Sequence, residues 1–441
     1  MEWPIFQMPY IGNRLLVAII GVIHICISHG MAVGGSFFVV LLHYKSIREN
    51  DMRLNELAHK VLKIFFIITT SFGALTGVGI WLVTATVSPA TIGSLLHVFF
   101  WVWFTEWVVF VTEVILILLY YLAWSKLGPQ KGLRVGVVYV VASWLTMMLI
   151  TGILGAMLTP GKWLASRSLL DGFFNPTYLP QLFTRTFLAA LLSYGFGLLI
   201  VRFHTAYRDQ WETVWQFAGK GFLILSPIFL FAVLNYYYAL PQQIEHLIAT
   251  ALMTMKYATY AQLSKIIFLA IVLLLMLVGF ILLKKRKDYV ILSIVPIVLL
   301  VLATSNFERV REFIRKPYTI YQYLYANSIK EDEAPFLNQS GILPYSGWAA
   351  RSSVEVDPEL RNGEMLFKME CGICHTYTGI NGITKKTSIL QDKDIIDNFL
   401  KTYKRSHPFM PPFVGTEEER KALAAYLDKI VNGSQNTKVD K

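Results

Sequence analysis

With 441 residues, 55% of them hydrophobic and only 16% charged, and a mean hydropathy of +0.49, the chain falls outside the ordinary soluble enzymes and is long enough for two domains. Its net charge of +11 comes from Lys and Arg at the ends of apolar segments. That is a topology pattern, so membrane lipid is an expected partner and nucleic acid is not. Three cysteines cannot build a disulfide framework. Cys371 and Cys374 share one short motif closed by His375, and Cys26 lies in an apolar segment as a packing residue.

Apolar runs fall at about 14–42, 61–87, 95–124, 132–158, 181–204, 217–240, 260–284 and 288–306, each near or above the ~20 residues a spanning helix needs. They predict an all-α fold: a polytopic membrane helix bundle of about eight spans, followed by a small all-α domain. The first run lacks a short apolar stretch ending at a small-residue cleavage site, and it outlasts signal-peptide length, so it is read as retained. Basic residues gather after the odd spans, at Lys45, Arg48, Arg53 and Lys60, at Lys126 and Lys131, at Arg202 and Arg208, and at Lys284, Lys285, Arg286 and Lys287. Those loops are assigned to the cytoplasm, which places both termini on the outer, periplasmic side of a bacterial inner membrane.

Ionisable groups inside spans are costly in hydrocarbon and mark function by default. His24 and His29 lie in the first span, Glu106 and Glu113 in the third. Seven residues make nearly two helical turns, so the two glutamates share a face. Plainer readings stand beside these: a histidine satisfied within the helical core, and glutamates bonded to each other across helices. His97 begins the third span near the outer surface, where an interfacial role is equally open. His43, His59 and His204 fall at cytoplasmic ends and His246 in an outer loop, so surface roles are expected of them.

After Phe307 the composition turns charged and aromatic through Lys316. A Pro-, Gly- and Ser-containing connector at 317–356 then leads to a small domain at 357–435 and a tail at 436–441. Within that domain Cys371-Gly-Ile-Cys374-His375 supplies two thiols one turn apart for attachment of haem vinyl groups, with a histidine to ligate the iron. A zinc site would need a second cysteine or histidine pair, which His407 alone does not provide. The sixth ligand is expected to be Met410, whose loop, His407-Pro-Phe-Met-Pro-Pro-Phe, is stiffened by prolines on both sides. Met365 and Met369 precede the motif and read as helix packing. The stretch Glu417 to Ile430 has the period of a closing helix, with Leu423, Ala424, Tyr426 and Leu427 on its apolar face. The whole is similar to a class I cytochrome c of His/Met type carrying one covalent haem c. Covalent attachment at such a motif takes place outside the bacterial membrane, in agreement with the topology.

In the membrane part, Asn13-Arg14-Leu15 with His24 and Gly30-Met31-Ala32 resembles the first helix of the large subunit of the cytochrome bd quinol oxidase family. Gly73-Ala74-Leu75-Thr76-Gly77 is similar to that family's second-helix glycine motif, and Glu106 and Glu113, with Trp124 closing the span, resemble its third helix. Glu312-Phe-Ile-Arg315-Lys316-Pro317-Tyr318, followed by Tyr321, resembles its Glu-x-x-Arg-Gln-Pro-Trp segment. The resemblance extends over residues 1–316. It implies two membrane haems of b or d type, with His24 an axial ligand of one and Glu106 its partner or close neighbour. It further implies Glu312 as ligand of the second haem near the outer face, Arg315 paired with a haem propionate, Glu113 in the proton path, and other membrane subunits in a hetero-oligomer. By themselves, Glu312 and Arg315 read as an interfacial ion pair capping the last span.

The departures redirect the reading. In Phe183-Thr184-Arg185-Thr186, arginine stands where that family has a ligating histidine of its low-spin b haem, and Ile267 lies near the place of the matching methionine. The long quinol-binding loop is missing, and the cytochrome domain takes the place of the family's last span. The expectation is therefore a bd-like terminal oxidase subunit that receives electrons through its outer haem c from cytochrome c or a similar donor and passes them to membrane haems for reduction of dioxygen. Glu106 and Glu113 are its expected catalytic carboxylates, delivering protons. Two other readings stay open: an electron conduit between quinone and haem c without oxygen chemistry, and a membrane tether for a cytochrome. A copper ion near His24, His29 and His97 would need the three to converge.

Overall fold

The computed structural model describes the chain apart from residues 1, 2, 5, 243, 245, 246, 249–260, 285–289, 388, 389, 391, 440 and 441. It forms two compact units, one made of Gly21–Val78 and Phe99–Ile314, the other of Met1–Ile20, Gly79–Val98 and Arg315–Lys441. His246, Lys285, Arg286 and Lys287 lie outside the described residues.

Among the described residues, eight helices are long and apolar enough to cross a membrane: Asn13–Arg48, Met52–Val87, Pro89–Leu127, Pro129–Leu158, Tyr178–Phe203, Thr205–Tyr238, Lys265–Lys284 and Ile291–Ile314. The chain is thus the all-α, multi-pass protein that the apolar runs predict. Local chemistry sets where these helices begin. Asp51 caps the second span, its carboxylate accepting from the Leu54 N–H at 2.9 Å. Pro89 and Pro129 open the third and fourth, where a missing N–H costs nothing. The first two spans each pass through a π turn, at Ser28–Val33 and Thr69–Gly73, and these two turns pack together.

In the larger unit Phe38, Leu57, Phe65, Tyr120, Trp124, Leu192, Phe222 and Leu275 share one core. Gly219 and Gly279 let the sixth and seventh spans touch: a Cβ on either would lie 2.7 or 2.8 Å from the other's carbonyl oxygen. Small residues at such crossings give the close backbone packing that membrane helices rely on.

In the smaller unit Pro358–Leu366 starts at Asp357, whose side chain accepts from the N–H groups of Glu359 and Leu360. It packs on the helix Glu417–Val439, which runs past the expected Ile430. Gly363 sits at that crossing, where a Cβ would come 2.2 Å from the Ala422 carbonyl oxygen. Leu366, Phe367, Met369 and Leu423 are fully withdrawn from solvent beneath it, each contributing roughly 1.5–3 kcal/mol of apolar burial.

The stretch 317–356, expected as a connector, is folded. Tyr318–Ile320 and Leu324–Tyr325 form a small antiparallel hairpin, and Tyr325, Ile329, Leu337 and Ile342 enter the core of the small unit. Glu419 ties the stretch to the closing helix, accepting from the N–H groups of Ile342 and Leu343 at 2.8–3.0 Å. The N-terminal segment joins the same unit: Gln7 Nε2 donates to the Lys368 carbonyl at 2.9 Å, and the Ile380 N–H to that of Tyr10 at 2.7 Å.

Candidate functional site

The Cys-x-x-Cys-His segment follows a π turn at Phe367–Cys371. The N–H groups of Cys374 and His375 then bond back to the Cys371 carbonyl at 3.0 and 2.8 Å, winding the motif into a tight turn. Both thiols are free of disulfides. Burial, reinforced by Glu370 and Cys374 nearby, pushes the Cys371 thiol up.

His375 Nδ1 lies 3.1 Å from the Asn381 carbonyl oxygen. A carbonyl only accepts, so Nδ1 carries the proton and Nε2 keeps the lone pair that iron requires. Burial lowers the His375 pKa to about 4, which keeps the ring neutral. Asn381 adopts a left-handed backbone, φ 58°, that asparagine tolerates, and its amide donates to the Cys374 carbonyl at 2.6 Å. The Met410 N–H bonds to the His407 carbonyl at 2.9 Å, and Tyr403 donates its hydroxyl to the Pro411 carbonyl, so the loop is fixed on both sides of the methionine. Two free thiols, a histidine with its outer nitrogen open and a braced thioether together suit a covalently held haem.

In the larger unit His24 Nδ1 lies 3.0 Å from Thr76 Oγ1. Glu106, half-buried on the third span, has no hydrogen-bond or ion-pair partner among the described residues. A carboxylate left unpaired at membrane depth suits a site completed by a bound group. Two turns further along the helix Glu113 is buried and accepts from Thr146 Oγ1 at 3.1 Å.

A second polar cluster forms around Arg185. Its guanidinium bonds His29 Nε2 at 3.1 Å and Glu308 at 2.9 Å, and Glu308 also holds Arg311 at 2.7 Å. The position where the resembled family has a haem-ligating histidine is thus occupied by a buried ion pair, while Ile267 is 43% exposed. Glu312 is half-buried one turn beyond Glu308, and Arg315 is buried.

Two expectations change. His43 is fully buried rather than at the surface, stacked on Trp124 with ring centroids 3.4 Å apart and bonded to Tyr120 at 3.0 Å. His59 packs against Tyr121 and bonds its carbonyl at 3.1 Å. Among the described residues no three His, Cys, Asp or Glu side chains gather as a metal site.

The sequence reading singled out neither Thr76 nor Thr146 for a role of its own, and it left out the Glu308–Arg311 partnership. Thr76 was within reach, because it lies inside the glycine motif. Glu308 and Arg311 look in sequence like the charged end of a span, and only the pairing with Arg185 marks them.

Residues 358–427 match the family model described as "Cytochrome C oxidase, cbb3-type, subunit III". The chain superimposes on the bd oxidase from Geobacillus thermodenitrificans with a TM-score of 0.57 at 16% identity, covering 69% of this chain and 86% of that one. No curated protein matches the chain. The tail is therefore a cytochrome c domain, which implies a covalent haem c and electron exchange with redox partners, and the membrane part has a bd oxidase-like fold.

Proposed function

We propose that this chain is the bd-like subunit of a terminal oxidase that takes electrons at its outer side through haem c and uses them in the membrane to reduce dioxygen. The observation that carries the proposal is the joining, in one chain, of a cytochrome c domain to a bundle of bd oxidase-like fold with His24, Glu106 and Glu113 inside its spans. A simple anchor for a cytochrome has no need of intramembrane carboxylates.

Cys371 and Cys374 would hold haem c by thioether bonds, and His375 and Met410 would ligate its iron, a pair that suits electron transfer rather than oxygen binding. In the membrane, His24 and Glu106 would hold one haem, and Glu312 and Arg315 a second, of b or d type. Bound haem would supply the one-electron steps and the iron that dioxygen binding requires.

The protein's own groups serve the proton side. Reduction of dioxygen to water consumes protons and electrons in equal number, and the protons must enter a site shielded from bulk water. Glu113 holds a proton at its carboxyl oxygen beside Thr146 and passes it along the shared helix face toward Glu106. Electrons come from cytochrome c or another donor on the periplasmic side of the inner membrane, and further membrane subunits complete the complex. Arg185 locked in an ion pair and the missing long quinol loop speak against quinol oxidation at the resembled family's usual site.

The test is a reduced-minus-oxidised optical spectrum of the purified protein, followed by carbon monoxide addition and oxygen uptake with reduced cytochrome c. A carbon monoxide-sensitive membrane haem with oxygen uptake, both lost in His24→Ala, is the expected result. Membrane haem indifferent to carbon monoxide would leave electron transfer without oxygen chemistry, and a spectrum of haem c alone would leave a tethered cytochrome.

A further inference from the structure

The hydroxyl of Thr76 has one proton, and two backbone carbonyls lie in reach of it. Thr76 Oγ1 lies 2.7 Å from the Phe72 carbonyl oxygen and 3.1 Å from that of Gly73, both acceptors only. The hydroxyl hydrogen therefore goes to the backbone, as in threonines that bond back along their own helix. What Oγ1 presents to His24 Nδ1, 3.0 Å away, is a lone pair. The imidazole must then be the donor in that bond. Its proton resides on Nδ1, and Nε2 is left with the lone pair.

Gly77, the next residue, settles the ring's position. A Cβ built there would approach His24 Cε1 to 3.3 Å and Nδ1 to 3.9 Å, so any side chain at this point would press on the imidazole edge. The ring thus has a hydrogen bond that fixes its tautomer and a bare backbone that leaves room for its plane. The adjoining π turns at Ser28–Val33 and Thr69–Gly73 bring the two helices together here.

We propose that Thr76 is a positioning residue that holds His24 in the Nδ1–H tautomer, with Gly77 as the clearance that admits the ring, so that Nε2 is presented to the iron of a membrane haem. This rests on the reading above that His24 is a haem ligand, and it assigns the Thr76-Gly77 pair a part in that site. Partners of this kind around a ligating histidine are worth roughly 10–100-fold in metal affinity. Donation from Nδ1–H also makes the imidazole a stronger electron donor, which stabilises the ferric state.

The experiment uses the full chain in its native membrane and compares Thr76→Val, Thr76→Ser, Gly77→Ala and His24→Ala. Haem c, attached covalently in the other unit, serves as the internal measure of folded protein. The readouts are the ratio of membrane haem to haem c and the midpoint potential of the membrane haem, neither of which needs turnover. Thr76→Val is expected to lower occupancy when haem is limiting, by roughly 10–100-fold in affinity, and to raise the potential of what remains. Thr76→Ser should restore both, and Gly77→Ala should lower occupancy with the hydroxyl still present.

If Thr76→Val matches the parent in ratio and potential while His24→Ala loses the haem, the positioning role is wrong and the ligand reading stands. If His24→Ala keeps the membrane haem unchanged, the ligand reading itself fails and takes this proposal with it. Should Thr76→Val not accumulate, Thr76→Ala against Thr76→Ser carries the same comparison, and equal occupancy and potential in the two overturns the proposal.

Discussion

Arg185 and Glu308 pair at 2.9 Å between the fifth and eighth spans, with the arginine side chain 2% exposed and the glutamate 16%. Glu308 also holds Arg311, and Arg185 reaches His29, so Glu308 is the carboxylate the two arginines share. Glu308→Met, which takes that carboxylate from both arginines, should destabilise the bundle by about 3–5 kcal/mol, the usual cost of breaking a buried pair from one side. The triple variant Arg185→Met, Glu308→Met, Arg311→Met should lose less, since neither arginine charge is left behind. Thermal unfolding in nanodiscs measures both, and a triple variant weaker than the single one would contradict the account.

That cluster also marks how far the sequence could be read. Hydropathy placed all eight spans, because a bilayer demands long apolar runs whatever the tertiary packing. The Cys371–His375 motif was equally legible, since covalent haem attachment needs fixed local spacing. What could not be read was anything that depends on partners distant in the chain. His43 sits at a span end in sequence, yet Trp124 and Tyr120 bury it. Residues 317–356 have a linker's composition, yet Glu419 and the core draw them in. Thr76 is a small polar residue in a glycine motif until its distance to His24 is known.

Glu113 accepts a hydrogen bond from Thr146 and has no cation bonded to it among the described residues. Glu113→Gln keeps the shape and loses the proton site, so oxygen uptake should fall by about 10²–10⁴-fold, the range for removing a general acid or base. Thr146→Val should cost less, because the carboxyl remains. The membrane haem spectrum should be unchanged in both, and uptake at parental rate in Glu113→Gln would remove this carboxylate from the proton path.

Met410 is braced on either side by its bond to His407 and by the Tyr403 contact to Pro411. Met410→Ala should leave haem c attached through Cys371 and Cys374 but open one iron position. Carbon monoxide, to which the parent haem c is indifferent, should then bind it. Met410→His should close the site again and lower the midpoint potential, because thioether ligation raises it relative to a second imidazole. A haem c that ignores carbon monoxide in Met410→Ala would mean that another residue is the sixth ligand.

Glu370 precedes the attachment cysteine and is buried beside it. One carboxylate oxygen accepts from the Val414 N–H at 3.0 Å and from Asn327 at 3.5 Å; the other is buried without a partner among the described residues. Burial holds the carboxyl well above the usual range, opposed by the Val414 bond and reinforced by the negative charge of Glu419. The native state therefore keeps a proton that the unfolded chain releases near the ordinary glutamate pKa of about 4.3. Between those two values the folded form binds more protons than the unfolded one, so stability is greatest below about pH 4.3 and falls as pH rises toward the folded pKa. Glu370→Gln is neutral throughout and should lose this slope, melting close to the parent at pH 5 and above it at pH 8. Thermal melts of the full chain followed at the haem c absorbance test this. Parallel pH dependence in parent and variant would show that Glu370 is not the group responsible.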